Sequence, residues 1–151
     1  MKIEYINAKK QDASLLIDLY NRSFYSDYIK YGECPAYGNT KKEMQKSIEE
    51  SPKQIIFYDD VPVGVISFQN RGNGEYYLGC LCVIPEYQEK RIGTQAVKHM
   101  ISSCLDWRKI TLITPSDKKE NIEFYTEKCG FSIGKTMKDG NVEVIEFFME
   151  R

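Results

Sequence analysis

Apolar and polar residues alternate at the start of the chain, with Ile3 and Tyr5 set against Lys2 and Glu4, the period of a half-buried strand. The period then lengthens. Leu15, Leu16, Leu19, Tyr20 and Ser23 share one face of a helix that Asp12 or Ser14 can cap. The stretch 24–39 breaks that pattern. It is rich in aromatics, carries Gly32, Pro35 and Gly38, and reads as an irregular loop or a substrate-facing lip. Thr40 and Glu43 form a T-x-x-E capping box that opens a second helix to about Glu50, and Ser51-Pro52 ends it. Three strands follow, 54–58, 61–69 and 75–84, divided by Asp59-Asp60 and by the Asn70–Gly74 turn. From Ile92 to about Trp107 the helical spacing returns in Ala96, Val97, Met100, Ile101, Cys104 and Leu105. A β-branched strand at 109–114, a short helix at 120–128 and a hairpin over 131–149 complete the chain.

This order gives an α/β architecture with a mixed sheet, mostly antiparallel, flanked by about four helices. The helix between the strands at 75–84 and 109–114 makes those two a parallel pair through a right-handed crossover. Ligands in such sheets sit at the carboxyl ends of the strands. No repeat, linker or low-complexity tract appears, so the expectation is a single domain over residues 1–151.

The carboxyl end of the 75–84 strand is where the chemistry concentrates. Leu81-Cys82-Val83-Ile84 is stopped by Pro85, and the polar loop Glu86-Tyr87-Gln88-Glu89-Lys90-Arg91 leads into a helix. The first N–H groups of that helix have no partner within it, and the dipole there is positive. Lys90 and Arg91 add charge, and Gly93 lets the backbone approach a ligand. Such an end suits phosphate.

Composition narrows the classes. The 151 residues carry a formal net charge of −1, which gives no reason to expect nucleic acid or an anionic membrane as partner. The first ten residues have no apolar core of the signal-peptide kind, and no apolar run approaches membrane-spanning length. Five cysteines, Cys34, Cys80, Cys82, Cys104 and Cys129, fit no secreted disulfide framework, so free thiols in the cytoplasm are expected. Cys80, Cys82 and the single His99 lack the spacing of a zinc site, and no metal is expected. A Walker-type phosphate loop is absent.

The run Val83-x-Pro85-x-Tyr87-Gln88-x-x-Arg91-x-Gly93-Thr94 resembles the acetyl-CoA-binding motif of the GNAT superfamily of N-acetyltransferases, Q/R-x-x-G-x-G/A, with Arg91 standing where the first glycine would be. A second run, Asn121 through the Phe124-Tyr125 pair to Gly130-Phe131, resembles that family's downstream signature, and the element order matches its fold. The resemblance implies transfer of an acetyl group from acetyl-CoA to a primary amine by direct attack in a ternary complex. It implies that Gln88, Glu89, Lys90, Arg91, Ile92, Gly93 and Thr94 hold the CoA diphosphate. Leu81, Cys82 and Val83 would pair with the pantetheine arm, and the Leu81 N–H would stabilise the oxyanion. Tyr125 matches the family's general acid, with Phe124 turned to the core and Tyr125 to the cleft. Asn121 and Lys128 complete the cofactor contacts. The general base is open between Glu33 and Glu75, because the family's usual strand carboxylate position is Tyr77 here. Family members often dimerise through their terminal strands, so a homodimer is the implied assembly. A non-catalytic acyl-CoA-binding or regulatory module on the same fold is the competing reading.

Overall fold

The computed structural model describes residues 2–151. Seven strands form one mixed sheet in the order β1-β2-β3-β4-β5-β7-β6. They are β1 (Ile3–Asn7), β2 (Lys53–Tyr58), β3 (Val61–Gly72), β4 (Glu75–Val83), β5 (Lys109–Pro115), β6 (Ser132–Asp139) and β7 (Val142–Glu150). The helices are α1 (Ala13–Tyr31), α2 (Lys41–Glu50), α3 (Ile92–Ser103) and α4 (Lys119–Glu123). The expected parallel pair is present: Glu75, Tyr76 and Tyr77 of β4 lie opposite Lys109, Ile110 and Thr111 of β5. The chain divides into two compact units, Met1–Phe68 with Cys80–Ala96, and Gln69–Gly79 with Val97–Arg151.

In the first unit β1 and β2 pair antiparallel from Ile3–Tyr58 to Asn7–Gln54. The β2–β3 turn uses Asp59 and Asp60 with φ of 48° and 70°. That double left-handed turn matches the twist of the flanking strands, and short polar side chains tolerate it. The capping box of α2 is formed, with Thr40 N–H donating to Glu43 Oε1 at 2.8 Å and Glu43 N–H to Thr40 Oγ1 at 3.1 Å. Helix α1 buries Ala13, Leu16, Leu19 and Tyr20. It does not stop near Ser23 as the periodicity suggests. It runs on to Tyr31 and ends at Gly32 with φ of 74°. The extension exposes Tyr25, Tyr28 and Ile29, so no buried stripe marks it; the stop signal is the glycine alone.

In the second unit β5 alternates cleanly, with Ile110, Leu112 and Thr114 buried. Antiparallel pairing joins it to β7 along its whole length, and β6 pairs with β7. Helix α3 closes at Ser103 rather than Trp107. The Ser102 and Ser103 hydroxyls donate to the His99 carbonyl at 3.0 and 2.7 Å, satisfying the helix end. Leu105, assigned to the helix by spacing, is therefore in a loop and 86% exposed. After α4 the chain widens into a π turn over Phe124–Lys128, marked by the Cys129 N–H bonding to the Phe124 carbonyl at 3.1 Å. Gly130, φ 81°, lets the chain reverse, and Phe131 N–H returns to the Tyr125 carbonyl at 2.9 Å.

Candidate functional site

The predicted site residues divide between the two units. In the first, Leu81, Cys82 and Val83 form the end of β4. Gly64 of β3 lies so close that a Cβ there would collide with the Cys82 carbonyl oxygen. Ile84 N–H donates to the Val63 carbonyl at 2.8 Å, and Pro85–Tyr87 then makes one 3-10 turn. Gln88 ties the loop back, its side-chain amide donating to the Val83 carbonyl at 2.9 Å. Glu89 and Arg91 both take the left-handed conformation, φ 67° and 63°. Gln88, Glu89, Lys90 and Arg91 are exposed, while Ile92 is buried and anchors the start of α3. Gln95 N–H donates to the Arg91 carbonyl at 3.0 Å. The N–H groups of Ile92, Gly93 and Thr94 thus precede the first helical rung. Lys90 and Arg91 stand beside them, and the loop is chemically an anion cradle.

Arg91 occupies the place where a glycine would cost nothing. A left-handed non-glycine residue costs about 1–2 kcal/mol. The backbone therefore keeps the path that the motif requires, and the side chain adds a cation at the loop's tip.

In the second unit Tyr125 sits on the π turn and is 7% exposed. Its ring contacts Phe124, Phe131 and Phe147 with centroids 4.9, 5.9 and 5.8 Å away. Phe124, expected in the core, is half-buried, and Tyr125 is the more buried of the two. The five-residue hydrogen bond of the π turn shifts the facing of each side chain relative to an α-helix. Asn121 is half-buried on α4, and Lys128 is exposed at the end of the π turn.

Of the two base candidates, Glu75 is the first residue of β4, exposed beside the Asn73-Gly74 turn and at the amino end of that strand. Glu33 follows the α1 cap and is exposed. Tyr77, at the position where the resemblance would put a carboxylate, is half-buried with the Arg71 guanidinium 4.0 Å above its ring, and burial raises its phenol above the usual value. Among the described residues no group of three or more His, Cys, Asp or Glu is placed to hold a metal ion. No helix among them is long and apolar enough to cross a membrane.

Two features escaped the sequence. The first is a polar row on the sheet face beneath α1. Lys53 of β2 pairs with Ser67 of β3, and Lys53 interacts electrostatically with Cys80 of β4. Lys53 and Ser67 are 6% and 4% exposed. Burial lowers the Lys53 ammonium below its usual value. A hydrogen bond from the Cys82 thiol holds the Cys80 thiol below its usual value and raises that of Cys82. Tyr20 and Ser23 of α1 face this row, and their hydroxyls are buried with no nitrogen or oxygen partner among the described residues. The second is the ion pair of Arg22 with Glu86, residues 64 positions apart. No periodicity could have announced either.

Residues 15–131 match the family model described as Acetyltransferase (GNAT) family. No curated protein matches the sequence. Among solved structures, an acetyltransferase from Thermus thermophilus superposes with a TM-score of 0.80 at 16% identity, covering 100% of this chain and 98% of that one. The PaiA N-acetyltransferase from Thermoplasma acidophilum, in complex with coenzyme A, gives 0.76 at 19% identity, covering 97% and 98%. YncA, an acetyltransferase from Salmonella typhimurium with acetyl-CoA, gives 0.72 at 14% identity, covering 98% and 93%. The structural likenesses establish a shared fold, and the match of the family model across most of the chain establishes the family: this protein is a member of the GNAT acetyltransferases.

Proposed function

We propose that the chain transfers an acetyl group from acetyl-CoA to a primary amine of a small molecule or peptide, by direct attack in a ternary complex. The observation that carries this is the loop Gln88–Thr94: N–H groups ahead of the first rung of α3, flanked by Lys90 and Arg91, placed directly after β4. A diphosphate is the ligand such a cradle suits. The CoA and acetyl-CoA complexes of the PaiA and YncA relatives support the same assignment.

In this reading the backbone of Leu81–Val83 pairs with the pantetheine amides, which needs no particular side chain. The neutral amine attacks the thioester carbonyl carbon. The carbonyl electrons move onto oxygen, where the Leu81 N–H stabilises them. Collapse breaks the C–S bond, and the sulfur leaves as a thiolate. With a thiol near pKa 8.5 and a tyrosine near 10, a phenol can hydrogen-bond to that sulfur and supply its proton. Tyr125 is assigned that role and regains its proton from solvent after CoA leaves, with Asn121 and Lys128 as contacts to the CoA arm. The proton lost by the amine passes to solvent through a carboxylate, for which Glu33 is preferred over Glu75 because it lies on the segment after α1 rather than at the amino end of β4.

The test is a calorimetric titration with CoA followed by thiol release from acetyl-CoA across an amine panel. Saturable CoA binding with amine-dependent thiol release is expected. CoA binding without release for any amine would favour a regulatory acyl-CoA module. No CoA binding would overturn both.

A further inference from the structure

Cys80 and Cys82 stand two apart on β4, so their side chains leave the strand on one face, toward α1. Cys80 is half-buried and Cys82 buried. Three groups converge on the Cys80 sulfur. The Cys82 thiol hydrogen-bonds to it, the Tyr20 hydroxyl does the same, and the Lys53 ammonium acts on it through space. The Tyr20 hydroxyl is buried with no nitrogen or oxygen partner, so sulfur is its acceptor. Ser67 of the same row is committed elsewhere, its hydroxyl donating to the Pro52 carbonyl at 2.9 Å. Two donors and a cation around one sulfur stabilise a thiolate.

The other thiols show the contrast. At Cys104 and Cys129 burial prevails, raising the first and pushing the second up to about 11. At Cys80 the donors prevail, the Cys82 thiol first among them, and hold it below its usual value. Cys82 keeps its proton, because its bond to Cys80 raises it well above the usual value. The pair is thus unequal: a charged, partly open sulfur beside a protonated, closed one. That is the setting in which a thiol meets an oxidant and a neighbour resolves it.

We propose that Cys80 is a peroxide-sensitive modification site and that Cys82 resolves it into an intrastrand disulfide. The Cys80 sulfur attacks hydrogen peroxide; the S–O bond forms as the O–O bond breaks, sulfur is oxidised, and the departing hydroxide takes a proton to become water. The Cys82 sulfur then attacks the Cys80 sulfenic acid. The S–S bond forms, the S–O bond breaks, and the Cys82 proton leaves with the hydroxide as a second water. Residues two apart on an extended strand have Cα atoms about 6.6 Å apart. That is near the outer limit for a bridged pair, so the disulfide pulls β4 inward at Leu81 and is readily reduced. Weakened CoA binding by the bridged form rests on the acetyl-transfer reading, which gives that strand edge to the pantetheine; the thiol chemistry does not.

The experiment exposes the full chain, without CoA, to a small excess of hydrogen peroxide and then alkylates it under denaturing conditions. The oxidised chain is expected to take up two fewer alkyl groups than the five of the reduced chain, with a Cys80–Cys82 bridge in the peptide map that dithiothreitol removes. Cys82→Ser should instead leave a sulfenic acid at Cys80 that dimedone traps. Tyr20→Phe should slow the oxidation roughly fivefold, the worth of one hydrogen bond. Peptide-resolved rates on the wild type, Cys80 against Cys34 and Cys129, carry the test even where a variant fails to fold. Cys80 reacting no faster than those two would overturn the proposal, as would a bridge to any cysteine other than Cys82. CoA titrations on the same samples keep the two ideas apart. The bridged chain is expected to bind CoA roughly tenfold more weakly, the loss of one or two hydrogen bonds, with recovery in dithiothreitol; equal affinity would overturn the coupling. A Cys80–Cys82 bridge in a chain that binds no CoA when reduced sinks the acetyl-transfer reading and upholds the modification site.

Discussion

The Gln88 side chain donates to the Val83 carbonyl at 2.9 Å, closing the loop back onto the strand it has just left. The bond fixes where the following N–H groups point. Gln88→Ala is expected to weaken CoA binding roughly fivefold, the worth of one net hydrogen bond of about 1 kcal/mol. Calorimetry would read this, and an unchanged affinity would remove Gln88 from the cradle.

Arg91 at φ 63° makes a backbone prediction separate from its charge. Arg91→Gly relieves the left-handed penalty but adds freedom to the unfolded chain, for a net gain on the order of 0.5 kcal/mol. Arg91→Val puts a β-branched side chain in the same conformation and should lose about 2 kcal/mol. Melting curves should rank Gly above Arg and Arg above Val.

Tyr125 is held by three aromatic neighbours through its ring, so removing only the hydroxyl should leave the fold intact. Tyr125→Phe is expected to lower kcat about a hundredfold with KM for acetyl-CoA and the melting temperature little changed. Tyr125→Ala opens a cavity and should cost about 3–5 kcal/mol of stability besides. Unchanged turnover in the phenylalanine variant would end the general-acid assignment.

Gly64 has no room for a Cβ against the Cys82 carbonyl oxygen. Gly64→Ala must push β3 from β4 beside Cys82 and Val83, at about 3 kcal/mol. Both the melting temperature and CoA affinity should fall, whereas a surface change such as Lys46→Ala should alter neither.

Tyr76 Oη donates to Asp106 Oδ1 at 2.5 Å, and that bond pushes the phenol up to about 12 from an ordinary 10. The folded protein therefore holds this proton more tightly than the unfolded chain. Below about pH 10 the stabilisation is complete. Between about pH 10 and 12 the unfolded chain ionises first, and the contribution is lost. Denaturant melts should show stability falling in that window more steeply for the wild type than for Tyr76→Phe.

Much of this could be read from the chain because the signals are local. The T-x-x-E box, the alternation of β5 and the proline that stops the strand before the loop each act within a few residues. The errors arise where local signals are silent. Residues 24–31 stay helical without burying a stripe, so only Gly32 marks the end. Trp107 is buried without being helical: it lies under the Arg151 guanidinium at 4.6 Å, and its spacing from Met100 imitates a helix. Phe124 is less buried than its spacing suggests because a π turn is not written in a helical period. Lys53, Arg22 and Glu86 were invisible because their partners come from distant strands and helices.

The row of buried Lys53 and Ser67 with half-buried Cys80 has an influence beyond its own layer. A helix resting on a purely greasy sheet can slip along it at little cost, whereas Tyr20 and Ser23 meet the Cys80 and Cys82 thiols in only one seating. Arg22 and Tyr25 sit on the same helix within a turn of Ser23. The Arg22–Glu86 pair is thus aimed from underneath, and we expect Lys53→Met to loosen it while the protein stays folded.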